Sequence, residues 1–183
     1  MTGEAPPRQP GAPAAGLVDH FFRHEYGRLV AILTRKVGIG HLDRVEDAVQ
    51  SALMAALTSW TADGLPVEPG AWLYRVAHNH LLDGLRRHAG RQRILRGVAE
   101  SLERASTQPS PHFAREIADD TLRMLFVCCD DGMPRDSQLV FALKTLCGFS
   151  VSEIALRLFT SEANVYKRLG RARHRLRSID DAA

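Results

Sequence analysis

Residues 150–177 read SVSEIALRLFTSEANVYKRLGRARHRLR, and two helices are written in them. Ser150, with Glu153 three positions on, forms a capping box that opens a short helix carrying Ile154, Ala155 and Leu158. Ser161 caps a longer helix that carries Val165, Leu169, Ala172 and Leu176 at helical spacing. A turn of a few residues joins them, the helix-turn-helix arrangement whose second helix enters the major groove of DNA. The charge agrees: after Asn164 the positions expected outside are Lys167, Arg168, Arg171, Arg173, Arg175 and Arg177, with no acid before Asp180. A merely solvated helix face mixes signs for pairing at i,i+4, whereas a single-sign face suits phosphates and base edges. Bases are read by the N-terminal part of such a helix, so Glu162, Asn164, Lys167 and Arg168 are expected at base edges and Arg171 and Arg175 at phosphates. Gly170, unfavourable in mid-helix, is expected to mark the close approach of another backbone.

Working outward, the apolar residues of the rest of the chain also repeat at 3.6 rather than 2, which predicts an all-α protein. A first helix carries Val18, Phe21, Phe22, Tyr26, Leu29, Val30, Leu33 and Val37 and ends at Gly38 and Gly40. A second is expected to begin at Asp43 as cap and to bury Val45, Val49, Ala52, Leu53 and Ala56. A third starts at Pro69 and buries Leu73, Ala77, Leu81 and Leu85, with His80 on that stripe read as a core histidine. Trp60 and Trp72 border these stripes and are read as core. The outward face of the third helix presents Arg75, Asn79, Asp83, Arg86 and Arg87, a second basic surface besides that of residues 162–177; Asp83 beside Arg86 and Arg87 reads equally as an ion pair and as a base reader. Beyond it, Ala118, Leu122, Leu125, Phe126 and Cys129 form one expected buried stripe and Leu139, Val140, Leu143, Leu146 and Cys147 another, stopped by Gly148.

The organisation that follows is a disordered tail over 1–16, a helical domain over 17–96, a flexible linker over 97–113, a helix-turn-helix domain over 114–178 and a short tail over 179–183. A chain of 183 residues with 45% hydrophobic and 25% charged content has room for two small cores and none for a barrel or a large doubly wound enzyme. The net charge of +3 is a weak pointer to an anionic partner; where the arginines cluster says more. Cys128, Cys129 and Cys147, odd in number and without recurrent spacing, suit a reduced cytoplasmic protein better than a disulfide framework. No apolar run approaches a signal sequence or a membrane span.

Three motifs in order resemble the extracytoplasmic-function group of bacterial sigma factors. Glu46-Asp47-Ala48-Val49-Gln50 is similar to that family's polymerase-binding helix. Ala71 to Asn79, continuing through Asp83, Leu85, Arg86 and Arg87, resembles its promoter-melting and minus-ten-reading segment. Glu153-Ile154-Ala155 followed by Val165, Lys167, Arg168, Leu169, Arg171, Ala172 and Arg173 resembles its minus-thirty-five-reading helices. The resemblance implies two helical domains, core RNA polymerase and promoter DNA as partners, and polymerase contact through Asp47, Gln50, Ser51 and Met54, positions opposite the buried stripe of their helix. It implies minus-ten contacts from Arg75, Asn79, Asp83, Arg86 and Arg87, minus-thirty-five contacts from the residues assigned above, and, as a further partner, an anti-sigma factor or other inhibitory protein. His78, His80 and Phe159 depart from the usual pattern, and residues 119–129 resemble a subgroup that commonly carries a long C-terminal extension.

No catalytic role is expected. There is no glycine-rich phosphate loop, no nucleophile elbow and no spaced carboxylate pair. Neither metal nor cofactor is anticipated, because adjacent cysteines on a helix point about 100° apart and a site joining them to His78 and His80 would have to converge from two domains. The rival reading is a stand-alone helix-turn-helix regulator with an effector or dimerisation domain at its N-terminus. The second basic helix separates the two, since an effector domain has no use for Arg75, Asn79, Asp83 and Arg86 on one face.

Overall fold

The first helix, α1 (Ala12–Val37), buries Leu29, Val30, Leu33 and Val37 and stops where Gly38 takes φ 91°, a left-handed conformation that L side chains resist. A computed structural model describes residues 12–89 and 113–180. After one 3₁₀ turn (Ile39–His41) come α2 (Leu42–Asp63) and α3 (Pro69–Ala89), then α4 (Phe113–Cys128), α5 (Arg135–Thr145), α6 (Val151–Arg157) and α7 (Glu162–Asp180). Every regular element among the described residues is helical, as the periodicity predicts. Most of the expected tail, 1–11, and most of the expected linker lie outside the described residues, as do 181–183; α1 already begins at Ala12.

In the first half, α2 and α3 pack along their length. Val49, Ala52 and Ala56 of α2 and Leu73, Ala77, Leu81 and Leu85 of α3 are all buried in the core that this packing forms. Phe22 stacks on Trp60 at 5.9 Å, and Trp72 meets Trp60 edge-on at 5.5 Å, which ties the end of α2 to α1 and α3. Both tryptophans are half-buried against the core. Two expectations change here. Asp43 does not cap α2: the 3₁₀ turn runs straight into the helix, His41 is the residue before it, and the Asp43 carboxylate is drawn to Arg173 instead. His80 is exposed and His78 is buried, 4% accessible, its ring 5.8 Å from that of Tyr74. The reason is that α3 packs on α1 as well as α2, so its buried arc spans 73, 74, 77, 78, 81, 82 and 85, and residue 80 falls outside it.

In the second half, the apolar residues of α4 point the other way from expectation. Leu122, Leu125, Phe126 and Cys129 are exposed, while Asp120, Met124 and Cys128, spaced by four, are buried against α1. Burying Asp120 is feasible because Arg35 of α1 meets its carboxylate at 2.7 Å. Leu139 and Cys147 are likewise exposed, and Val140 with Phe141 supplies the core of α5.

The two halves are docked. Arg23 of α1 reaches Glu153 of α6 at 2.6 Å and lies 4.8 Å over the Phe149 ring, which Arg157 also approaches at 4.5 Å. Gly27 lies so close to the carbonyl of Leu146 that a methyl group there would overlap it. Arg173 of α7 pairs with Asp43 Oδ1 at 2.7 Å and donates from Nη2 to Glu46 Oε2 at 2.6 Å; Thr145 donates to the other Glu46 oxygen at 3.2 Å.

Candidate nucleic-acid interface

The helix-turn-helix is built as its sequence dictates. Ser150 Oγ accepts from the Glu153 amide while the Glu153 carboxylate accepts from the Ser150 amide, closing the capping box of α6. Arg23, the Ser150 amide and the Ser150 hydroxyl, each donating to the Glu153 carboxylate, favour its charged form and lower its pKa to about 2. Leu158 ends α6, and the Thr160 amide bonds back to Ala155, with Phe159 between them at φ 48°. Ser161 Oγ accepts from the Asn164 amide to start α7, and Val165, Leu169, Ala172 and Leu176 are all buried, which fixes the rotation of the helix.

That rotation sorts the polar residues. Glu162, Asn164, Lys167, Arg171 and Arg175 are exposed, and Arg168 is half-buried. Asn164 donates its amide to Thr160 Oγ1 at 3.3 Å, which ties the first turn of α7 to the preceding loop. Arg168 Nη2 donates to Asp136 at 2.9 Å, and Arg175 Nε to Asp130 at 2.9 Å, where the Gly132 amide also bonds. Two of the assigned DNA-facing cations are therefore held by acids of their own domain, and charge-assisted bonds of this kind orient the guanidinium fork. Lys167 and Arg171 make no ion pair among the described residues.

Arg173 does not join this basic face. It turns to α2, half-buried, and although burial opposes its charge, Glu46 and then Asp43 raise its pKa above the ordinary value. Gly170 has nothing near it, so the expected close approach of another backbone does not occur. Phe159, an aromatic where a helix C-terminus ordinarily takes glycine, is 97% exposed.

On α3 the arc of Arg75, Asn79, Asp83, Arg86 and Arg87 is exposed as one outward surface. Asp83 lies 3.9 Å from Arg86, and its backbone carbonyl accepts from Arg87 Nε at 3.2 Å. On α2, Asp47, Gln50, Ser51 and Met54 are all exposed, Met54 by 65%, whereas Glu46 of the same motif is buried beneath Arg173. Cys128 is buried, which raises its thiol pKa to about 12, and the adjacent Cys129 is exposed. No group of three or more potential metal ligands occurs among the described residues, and none of the described helices is long and apolar enough to cross a membrane.

These features define a two-part helical protein with a helix-turn-helix and a second exposed polar helix. The Sigma-70 region 2 family model matches residues 21–91 and the Sigma-70 region 4 model residues 123–176. An uncharacterized protein of Rhizobium meliloti (strain 1021) is 34% identical over 139 residues, which cover 74% of this chain and 33% of that protein, so the chain spans about a third of that relative's length. The RNA polymerase sigma factor YlaC of Bacillus subtilis (strain 168) is 26% identical over 87% of this chain and 90% of its own length. The RNA polymerase sigma factor NccH of Alcaligenes xylosoxydans xylosoxydans is 29% identical over 84% and 82%. No solved structure matches. The chain belongs to the sigma-70 family of RNA polymerase sigma factors, in its extracytoplasmic-function group.

Proposed function

We propose that this chain acts as a sigma factor in the cytoplasm, binding core RNA polymerase through the exposed face of α2 and directing it to promoters. In this reading Asp47, Gln50, Ser51 and Met54 meet the polymerase; an exposed methionine beside an acid suits an interface better than bare solvent. The α3 arc holds the opened minus-ten strand, and α7 reads the minus-thirty-five element. The chain catalyses nothing itself; the chemistry belongs to the polymerase. An anti-sigma protein, where one exists, would act on the same surfaces.

The observation that carries the reading is the presence of two outward polar arcs on separate helices, Arg75, Asn79, Asp83 and Arg86 on α3 and Asn164, Lys167, Arg171 and Arg175 on α7. A single duplex site needs one such helix, whereas a promoter read at two elements needs two. The test is reconstitution: the purified chain added to core polymerase should yield discrete run-off transcripts from a subset of fragments of its own genome. A complete lack of promoter-specific transcripts would reject the reading.

A further inference from the structure

Phe159 is the only non-glycine residue at positive φ among the described residues, and it is 97% exposed. The two facts conflict unless the side chain has an external partner. An aromatic residue in the left-handed region carries a conformational cost that glycine avoids, and such a cost persists where the strained residue serves something. At Phe159 the fold recovers none of it by burial. The backbone itself needs only the conformation: the Thr160 amide bonds to Ala155 and the Phe159 amide to Leu156 at 3.4 Å, a helix ending that glycine would make with less strain.

The position of the ring says where a partner would be. Phe159 lies two residues before the Ser161 cap of α7, and the Asn164 amide, bonded to Thr160 Oγ1, fastens this turn to the end of the recognition helix that reads bases. Phe159 thus sits next to Thr160, the residue that Asn164 holds, and Phe159, Asn164 and Lys167 are all exposed. We propose that Phe159 is a further specificity-determining contact: its ring packs on an apolar part of the promoter duplex in the minus-thirty-five element, a thymine 5-methyl group or the adjoining deoxyribose, and so complements the polar reading by α7. This rests on the promoter-binding reading above.

The experiment compares wild-type, Phe159→Gly and Phe159→Leu chains, each free and assembled with core polymerase, on promoter fragments selected by the wild-type holoenzyme. Phe159→Gly should raise the melting temperature of the free chain by about 2–4 °C, the shift expected for relief of one strained residue in a protein of this size. It should leave core affinity unchanged and lower promoter affinity about tenfold, with Phe159→Leu recovering most of the loss. Thymine-to-uracil exchanges divide the two contacts: one that weakens wild type but not Phe159→Gly places the ring on a methyl group, and an equal loss on both duplexes places it on the sugar. Promoter affinity unchanged by Phe159→Gly would overturn the proposal, as would a loss confined to core binding, which would assign the ring to the polymerase. A wild-type holoenzyme that selects no fragment would instead overturn the sigma-factor reading, and this contact with it.

Discussion

Arg173→Ala removes the residue through which the recognition helix is fastened to α2, and its cost can be worked from the contacts. Glu46 is 4% accessible and has two described partners, the Arg173 guanidinium at 2.6 Å and the Thr145 hydroxyl at 3.2 Å. Removing one partner of a fully buried pair costs ~3–5 kcal/mol, because the remaining charge is left without compensation. Arg173 is 28% exposed, which admits water to the vacated site and brings the expectation to about 2–3 kcal/mol. The second arm, to a largely exposed Asp43, adds no more than about 0.5–1 kcal/mol. The assay is denaturant unfolding of a double-mutant cycle with Glu46→Gln. If the uncompensated carboxylate is the source of the loss, the double variant should be more stable than Arg173→Ala alone, with a coupling of about 1.5 kcal/mol or more. A loss below about 0.5 kcal/mol for Arg173→Ala, or strict additivity in the cycle, would refute the view that this pair holds the two halves together.

Gly27→Ala should destabilise the chain by about 1–3 kcal/mol, read as a fall in melting temperature, because its methyl group meets the Leu146 carbonyl and α1 must move away from the second half. The Glu153 carboxyl is lowered to about 2 from an ordinary 4.5, so it contributes stability above about pH 4.5 that is lost as the pH falls toward 2; thermal melts across this range should show that loss in wild type and a flatter profile in Glu153→Gln. Asp47→Arg should weaken binding to core polymerase while leaving the circular dichroism and melting temperature near wild type, since Asp47 is exposed. Arg168→Ala should change which minus-thirty-five sequences are used, with ~1–3 kcal/mol lost at one base pair, whereas Arg175→Ala should weaken all promoters alike and lower the salt slope by about one unit; a promoter-library selection with salt titration distinguishes them.

Local signals were read well from the chain and docking signals poorly. The capping box at Ser150 and Glu153, the Ser161 cap and the stripe of Val165, Leu169, Ala172 and Leu176 are written within a few residues of one another, and the structure has them in place. The exposed placement of Asp47, Gln50, Ser51 and Met54 and of the α3 arc follows from helical periodicity in the same way. Arg173 was placed on the basic face because its neighbours are basic; its partners, Asp43 and Glu46, lie more than a hundred residues away, and no periodic pattern encodes a pair at that separation. The inverted α4 has the same cause: its apolar residues suggest one buried face, but Arg35 on α1 makes the burial of Asp120 feasible and selects the other. His80 leaves the core and His78 enters it because α3 packs against two neighbours where a single stripe presumes one.

The grip of Arg173 on α2 also sets a limit on reach. Elements centred near minus ten and minus thirty-five are about 25 base pairs apart, roughly 85 Å along a duplex at 3.4 Å per base pair. The longest helix among the described residues has 26 residues and spans about 39 Å. With Arg173 at 2.6 Å from Glu46, the start of α2 and the recognition helix are in contact, so the docked chain is too short a ruler to measure the distance between the two elements. In the proposed function, reading both at once would require this ion pair to part, and whatever free energy the docking contributes would be subtracted from the apparent affinity for the full promoter.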